Sequence, residues 1–248
     1  MNSVFHYYYS FLQKITEYKH SCSFRGNCVL MFHDIPVKMT SENEQSITIT
    51  FDSFMCFIEE ISRLGFEFKR IDEIVHNRET CIFLSFDDIF ESAFEYAIPF
   101  LEKKKIPYAC FISPGLLNKK PYITEEQLDA LSTLSNCYIG AHSFMHRKPR
   151  ELSDDDMSLD FKNAKEYLES RTKKEIKIMA YPYGSRSACP QRVKKNAQKA
   201  GFDYAFSSYS FVATEYDIVN NPLFIPRINI NQINYNAIYQ RLKESINA

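Results

Sequence analysis

Short apolar runs alternate along the chain with longer stretches in which apolar residues recur every three or four positions. VLMFH (29–33), FEFKR (66–70), CIFLSF (81–86), YACFIS (108–113), CYIGAH (137–142), IKIMAYP (176–182), DYAFSS (203–208) and LFIPRINI (223–230) read as strands. Most are apolar at nearly every position, as parallel strands covered on both faces are. Between them, Phe51, Phe54, Ile58, Ile61 and Leu64 recur at helical spacing and end at Gly65, a residue suited to a helix C-terminus. Thr124 with Gln127 reads as a capping box, and Ser153 as the cap of a helix carrying Met157, Phe161, Ala164 and Leu168. Alternating strands and helices predict a parallel α/β fold.

Residues capable of chemistry collect where these strands end. His33 closes the first run, Asp87 and Asp88 follow the third, and His142 closes the fifth with His146 just beyond. Pro182 and Tyr183 follow the sixth, and Arg227 lies within the last. Barrels of the (β/α) type gather their sites at C-terminal strand ends. An open doubly wound sheet would show a glycine-rich first turn, and the chain has six glycines and no GxGxxG. The pattern therefore predicts a distorted (β/α) barrel of seven or eight parallel strands. Its 248 residues suit one such domain, over 27–248, preceded by an N-terminal extension over 1–26 expected to be helical.

Composition narrows the partners. The net charge is −1 and the lysines are scattered, so there is no basic face for nucleic acid. No stretch approaches the roughly 18 apolar residues of a membrane span. The aromatic N-terminus lacks the basic start and small-residue cleavage site of a secretion signal. Seven cysteines without a CxxC pair read as free thiols of a reducing compartment. These features place the chain in the cytoplasm, as an expectation.

Four segments carry candidate chemistry. In LSFDDIF, Asp87 and Asp88 project in different directions, so one suits a metal and the other a substrate; acidic residues at a helix N-terminus would look the same. In GAHSFMHRKP, His142 and His146 stand at i, i+4, a common ligand spacing, although one core and one surface histidine would also fit. MAYPYGSRS reads as a tight turn able to present backbone N–H groups. His33 in LMFHDIP suits either a general acid or a structural histidine.

Together these segments resemble the polysaccharide deacetylase family, also called the NodB-homology family or carbohydrate esterase family 4. FDD is similar to its first motif, H-S-x-x-H to its second and YPYG to its third, and the resemblance runs from about Asn27 to about Asn231. VLMFHDIP followed by FDSFMCFIEEISRLGFEF resembles the branch acting on exopolysaccharides such as poly-N-acetylglucosamine, in which the motif order is permuted. There the histidine found near the C-terminus of other members comes from the first strand, and His33 is the matching position.

The resemblance implies a metal-dependent hydrolase that removes N-acetyl groups from amino sugars. Asp88, His142 and His146 would hold the metal, zinc by default, with cobalt, nickel or iron as alternatives. Asp87 would be the base, the backbone N–H of Tyr183 an oxyanion donor, and His33 the acid. The third motif departs from the family: Ala180 stands where an arginine orients the catalytic carboxylate, and Arg227 is the expected replacement. Tyr122, Phe144 and Tyr183 are candidates for stacking on sugar rings. The competing readings are a sugar-binding or scaffold protein that kept the barrel without turnover, and a deformylase or other amidase on the same fold.

Overall fold

The computed structural model describes residues 26–43, 45–77 and 80–246; apart from Gly26, the expected extension lies outside them. Seven of the apolar runs become strands: β1 (Cys28–Phe32), β2 (Ile82–Asp87), β3 (Tyr108–Ile112), β4 (Cys137–Ala141), β5 (Ile178–Ala180), β6 (Tyr204–Phe206) and β7 (Ile228–Asn229). All pairs are parallel, in the order β6-β5-β4-β3-β2-β1-β7.

The run 66–70 makes only a bridge, between Phe68 and Ile82. The reason is that β3 takes over the same edge of β2 from Leu84 onward, where it pairs with Tyr108. The last run is divided. Ile225 first bonds along β6, donating its N–H to Ala205 O and accepting from Ser207 N. Past Pro226 the chain crosses to β1, where Ile228 pairs with Leu30 and Asn229 with Met31. A single segment thus closes the curled sheet into a distorted barrel.

A helix follows each strand: α1 (Phe51–Arg63), α2 (Ile98–Lys104), α3 (Glu125–Thr133), α4 (Asp154–Thr172), α5 (Gln191–Lys199), α6 (Glu215–Asn220) and α7 (Tyr235–Ile246). The caps follow local chemistry. Gly65 takes φ +87° just past α1, Thr124 and Gln127 bond reciprocally at the start of α3, and Ser153 accepts from Asp156 N at the start of α4.

The strand pleat divides the core. Leu30, Phe32, Leu84, Phe86, Cys110 and Met179 pack with helix residues such as Phe54, Leu128 and Phe161. Val29, Phe83, Ala109, Phe111, Ala180 and Phe206 form a second cluster that fills the barrel. The interior is tight: a Cβ on Gly140 would lie 2.6 Å from the Phe111 ring. Among the described residues the six cysteines are free, and no helix is long and apolar enough to cross a membrane.

Candidate active site

Alternation along the strands aims three of the expected residues at one point. Phe83 lies on the barrel-filling face of β2, so Ser85 and Asp87 share it. The same parity carries Val29 and Met31 to His33, and Tyr138 and Gly140 to His142. The β1–β2 register pairs Phe32 with Phe86, which sets His33 beside Asp87.

Asp88, His146 and Tyr183 reach the site through reversed backbone. Asp88 has φ 63° and Ile89 φ 42°, with Ile89 N donating to Asp87 O at 2.7 Å. Ser143 and His146 have φ 58° and 52°, and Tyr183 has φ 55°. Such values strain residues other than glycine by about 1–3 kcal/mol each. One such turn in each of three motifs at one barrel mouth is the pattern of strain that collects at functional sites.

Specific side chains hold these turns. Asp160 on α4, 4% exposed, accepts from Phe144 N at 3.0 Å and Met145 N at 3.2 Å, the two amides between the histidine-bearing ends of the loop. Ser143 Oγ accepts from His146 N at 3.1 Å, and Ser113 Oγ donates to His142 O at 2.6 Å. Sequence reasoning missed Asp160. The available signal was an acid inside the buried row Met157, Phe161, Ala164 of α4. Asp34, beside His33, instead accepts from Ser92 Oγ, Thr48 Oγ1 and Asn43 Nδ2 and ties down the loop after β1.

Arg227 is fully buried and meets Asp87 bidentately, at 2.6 and 2.7 Å. Its Nε donates to Ser207 O at 2.9 Å and its Cζ lies 5.3 Å from the Phe111 ring centroid. Burial raises the Asp87 pKa, but the Arg227 charge and hydrogen bonds, with help from the nearby histidines, outweigh it and hold the carboxyl well below the usual range. Asp88 behaves oppositely: burial and the adjacent Asp87 charge push it up to about 8.

Burial lowers His142 to about 3 and also lowers His146, which leaves both imidazoles neutral. His142 Nδ1 lies 2.9 Å from Ala180 O. A carbonyl only accepts, so Nδ1 carries the proton and Nε2 keeps its lone pair. Asp88 Oδ1 lies 3.1 Å from His146 Nε2 and 3.8 Å from His142 Nε2. One ligand atom from each of Asp88, His142 and His146 lies within 4.8 Å of the others. Asp88 Oδ1 is buried without a hydrogen-bond partner among the described residues. One carboxylate oxygen and two imidazole lone pairs converging this way fit a divalent cation.

The aromatic candidates separate. Tyr183 is 54% exposed, with its ring 5.2 Å from that of His146 and Lys148 Nζ 5.3 Å above it. Tyr122 stands against Phe90 at 5.3 Å. Phe144 turns the other way and packs edge-on against Tyr167 of α4.

Fold and site together define a parallel (β/α) barrel with a candidate metal centre and a clamped carboxylate at its C-terminal mouth. The family model described as polysaccharide deacetylase matches residues 75–205, more than half of the chain, which therefore belongs to that family. A poly-beta-1,6-N-acetyl-D-glucosamine N-deacetylase of Staphylococcus aureus is 28% identical over 173 residues, covering 64% of this chain and 58% of the relative. The chain thus spans under two thirds of the length of such relatives. Two solved structures share the fold at TM-score 0.76 and 19% identity. The Streptococcus pyogenes deacetylase PplD in complex with acetate aligns over 88% of this chain and 98% of its own. IcaB from Ammonifex degensii aligns over 88% and 97%.

Proposed function

We propose that this chain is a metal-dependent N-deacetylase acting on N-acetyl amino sugars of a polysaccharide or surface-glycan precursor. The observation that carries this reading is the Arg227–Asp87 clamp beside the Asp88, His142 and His146 cluster. A carboxylate held ionised beside a cluster suited to a cation supports the reading, because amide hydrolysis needs a base and an electrophile. The name of the S. aureus relative supports the choice of N-acetylglucosamine polymers as substrate.

Asp88, His142 and His146 would hold the ion, with zinc the first choice for this donor set and cobalt, nickel or iron also compatible. When bound, such an ion supplies Lewis acidity, which polarises a carbonyl and acidifies water. Asp87 takes the proton from the attacking water, and Arg227 keeps Asp87 ionised and oriented. The water oxygen bonds to the acetyl carbon. The backbone N–H of Tyr183 donates to the oxygen that gains charge, a contribution of about 3 kcal/mol at comparable sites. The C–N bond then breaks, His33 delivers a proton to the departing amine, and acetate and the free amino sugar leave. Tyr122 and Tyr183 offer ring faces to the sugar.

The test is acetate release from β-1,6-linked N-acetylglucosamine oligomers by zinc-loaded protein, with Asp87→Asn and His146→Ala alongside. Release by the wild type, lost in both variants, is the expected result. Absence of release from a stoichiometrically loaded wild type would overturn the substrate assignment.

A further inference from the structure

A cavity of about 360 Å³ adjoins the third motif and has no part in the chemistry above. Arg186, just past Tyr183 and Gly184, forms one wall and Tyr209 another. The walls are tied to the site: Ser208 N donates to Gly184 O at 2.9 Å, and Arg227 N donates to Tyr209 O at 3.1 Å. The cavity therefore borders the third-motif side of the mouth.

Its lining pairs cations with aromatic faces. The Arg186 guanidinium lies 4.0 Å over the Tyr209 ring, and Lys194 Nζ lies 5.7 Å from the Phe224 centroid. Among the described residues neither cation is held in an ion pair, whereas Arg171 and Arg192 are engaged by Asp129 and Asp154. Among the described residues Asp217 is the one carboxylate of the lining, and its Oδ2 accepts from Thr214 N at 3.0 Å and Thr214 Oγ1 at 2.6 Å. Two cations against one engaged carboxylate leave the cavity positive. Helix α5 also begins here, with Gln191 in the lining, no acidic residue in its first turn and no side-chain cap, so its N-terminal dipole adds to the same sign.

Arg186 and the Phe211 ring, stacked at 4.5 Å, cover Tyr209, so Phe224 is the aromatic face left to a sugar ring, and an arginine with a lysine suits a phosphate. We propose that this cavity is a subsite for a phosphate-bearing sugar adjacent to the N-acetylated unit at the catalytic centre. The substrate class is then an anionic, phosphate-substituted glycan. This deepens, and rests on, the deacetylase reading of the neighbouring site.

The test measures binding of three β-1,6-linked N-acetylglucosamine tetramers to zinc-loaded wild type and to Arg186→Gln/Lys194→Gln. One tetramer is neutral, one carries a phosphate at the non-reducing end, and one at the reducing end. Wild type is expected to bind one phosphorylated tetramer roughly tenfold or more tighter than the neutral one, the scale of charge-assisted hydrogen bonds. Raised salt should shrink the preference, and the double variant should abolish it. Equal binding of all three by the wild type, binding of none, or a preference that survives in the double variant would overturn the proposal. Acetate release, followed separately, distinguishes the two ideas. Release without a phosphate preference defeats the subsite alone. A phosphate preference lost in the double variant, without release from any tetramer, keeps the subsite and overturns the substrate assignment of the neighbouring site.

Discussion

Arg227 grips both carboxylate oxygens of Asp87 across 140 positions of sequence, in the interior of the barrel. The pair converts a carboxyl that burial alone would neutralise into one that stays ionised. Removing one partner of a buried pair costs about 3–5 kcal/mol, so Arg227→Ala is expected to fold poorly. Arg227→Lys keeps a charge but loses the fork, so it tests orientation without abandoning the pair. Its expected signature is a lower turnover whose acid limb moves to higher pH, because Asp87 is less well held in its ionised form. An unchanged pH profile of kcat/KM would contradict the positioning role.

Metal uptake should depend on pH through Asp88. In the metal-free protein this carboxyl titrates at about 8, so below that pH an ion must displace a proton. His142 and His146 are already neutral near pH 7 and do not compete. Zinc affinity is therefore expected to rise roughly tenfold per unit from pH 6 to pH 8 and then level off. Chelator competition across this range checks it, and a flat profile below pH 8 would show Asp88 already ionised.

The Asp160 carboxylate fixes the turn that sets His142 against His146. Asp160→Asn loses the charge and one strong acceptor. Zinc affinity is expected to fall roughly 10–100-fold, the range for residues that orient metal ligands, with the far-ultraviolet circular dichroism retained. Equal zinc affinity in variant and wild type would remove Asp160 from the site's support.

Gly140 reports on the filling of the barrel. A methyl group there would meet the Phe111 ring at 2.6 Å and Ile178 Cγ1 at 2.9 Å. Gly140→Ala is expected to destabilise the fold by about 1–3 kcal/mol, read from the midpoint of urea unfolding. A midpoint equal to that of the wild type would mean the interior has room to spare.

The two sequence features that mattered most were the apolar runs and their period. Runs such as CIFLSF and YACFIS suit strands buried on both faces, and period two then puts Phe83, Ser85 and Asp87 on one side. With His33 and His142 on matching positions, much of the mouth is legible in the sequence. Thr124, Ser153 and Gly65 ended their helices through bonds to near neighbours, which sequence also encodes. FEFKR misled because its apolar content is real, yet the edge of β2 that it joins is already taken beyond the first pair.

The sequence by itself determined the alternation of strands and helices, the caps, and the strand ends at which reactive residues stand, because each depends on contacts within a few residues. Only the tertiary structure decided that Arg227 meets Asp87, that Asp160 pins the histidine turn, and that Asp88 reverses its backbone to face His142 and His146. Those relations join residues far apart in sequence, and their energies appear only once closure of the barrel has excluded water and brought the charges within hydrogen-bonding distance.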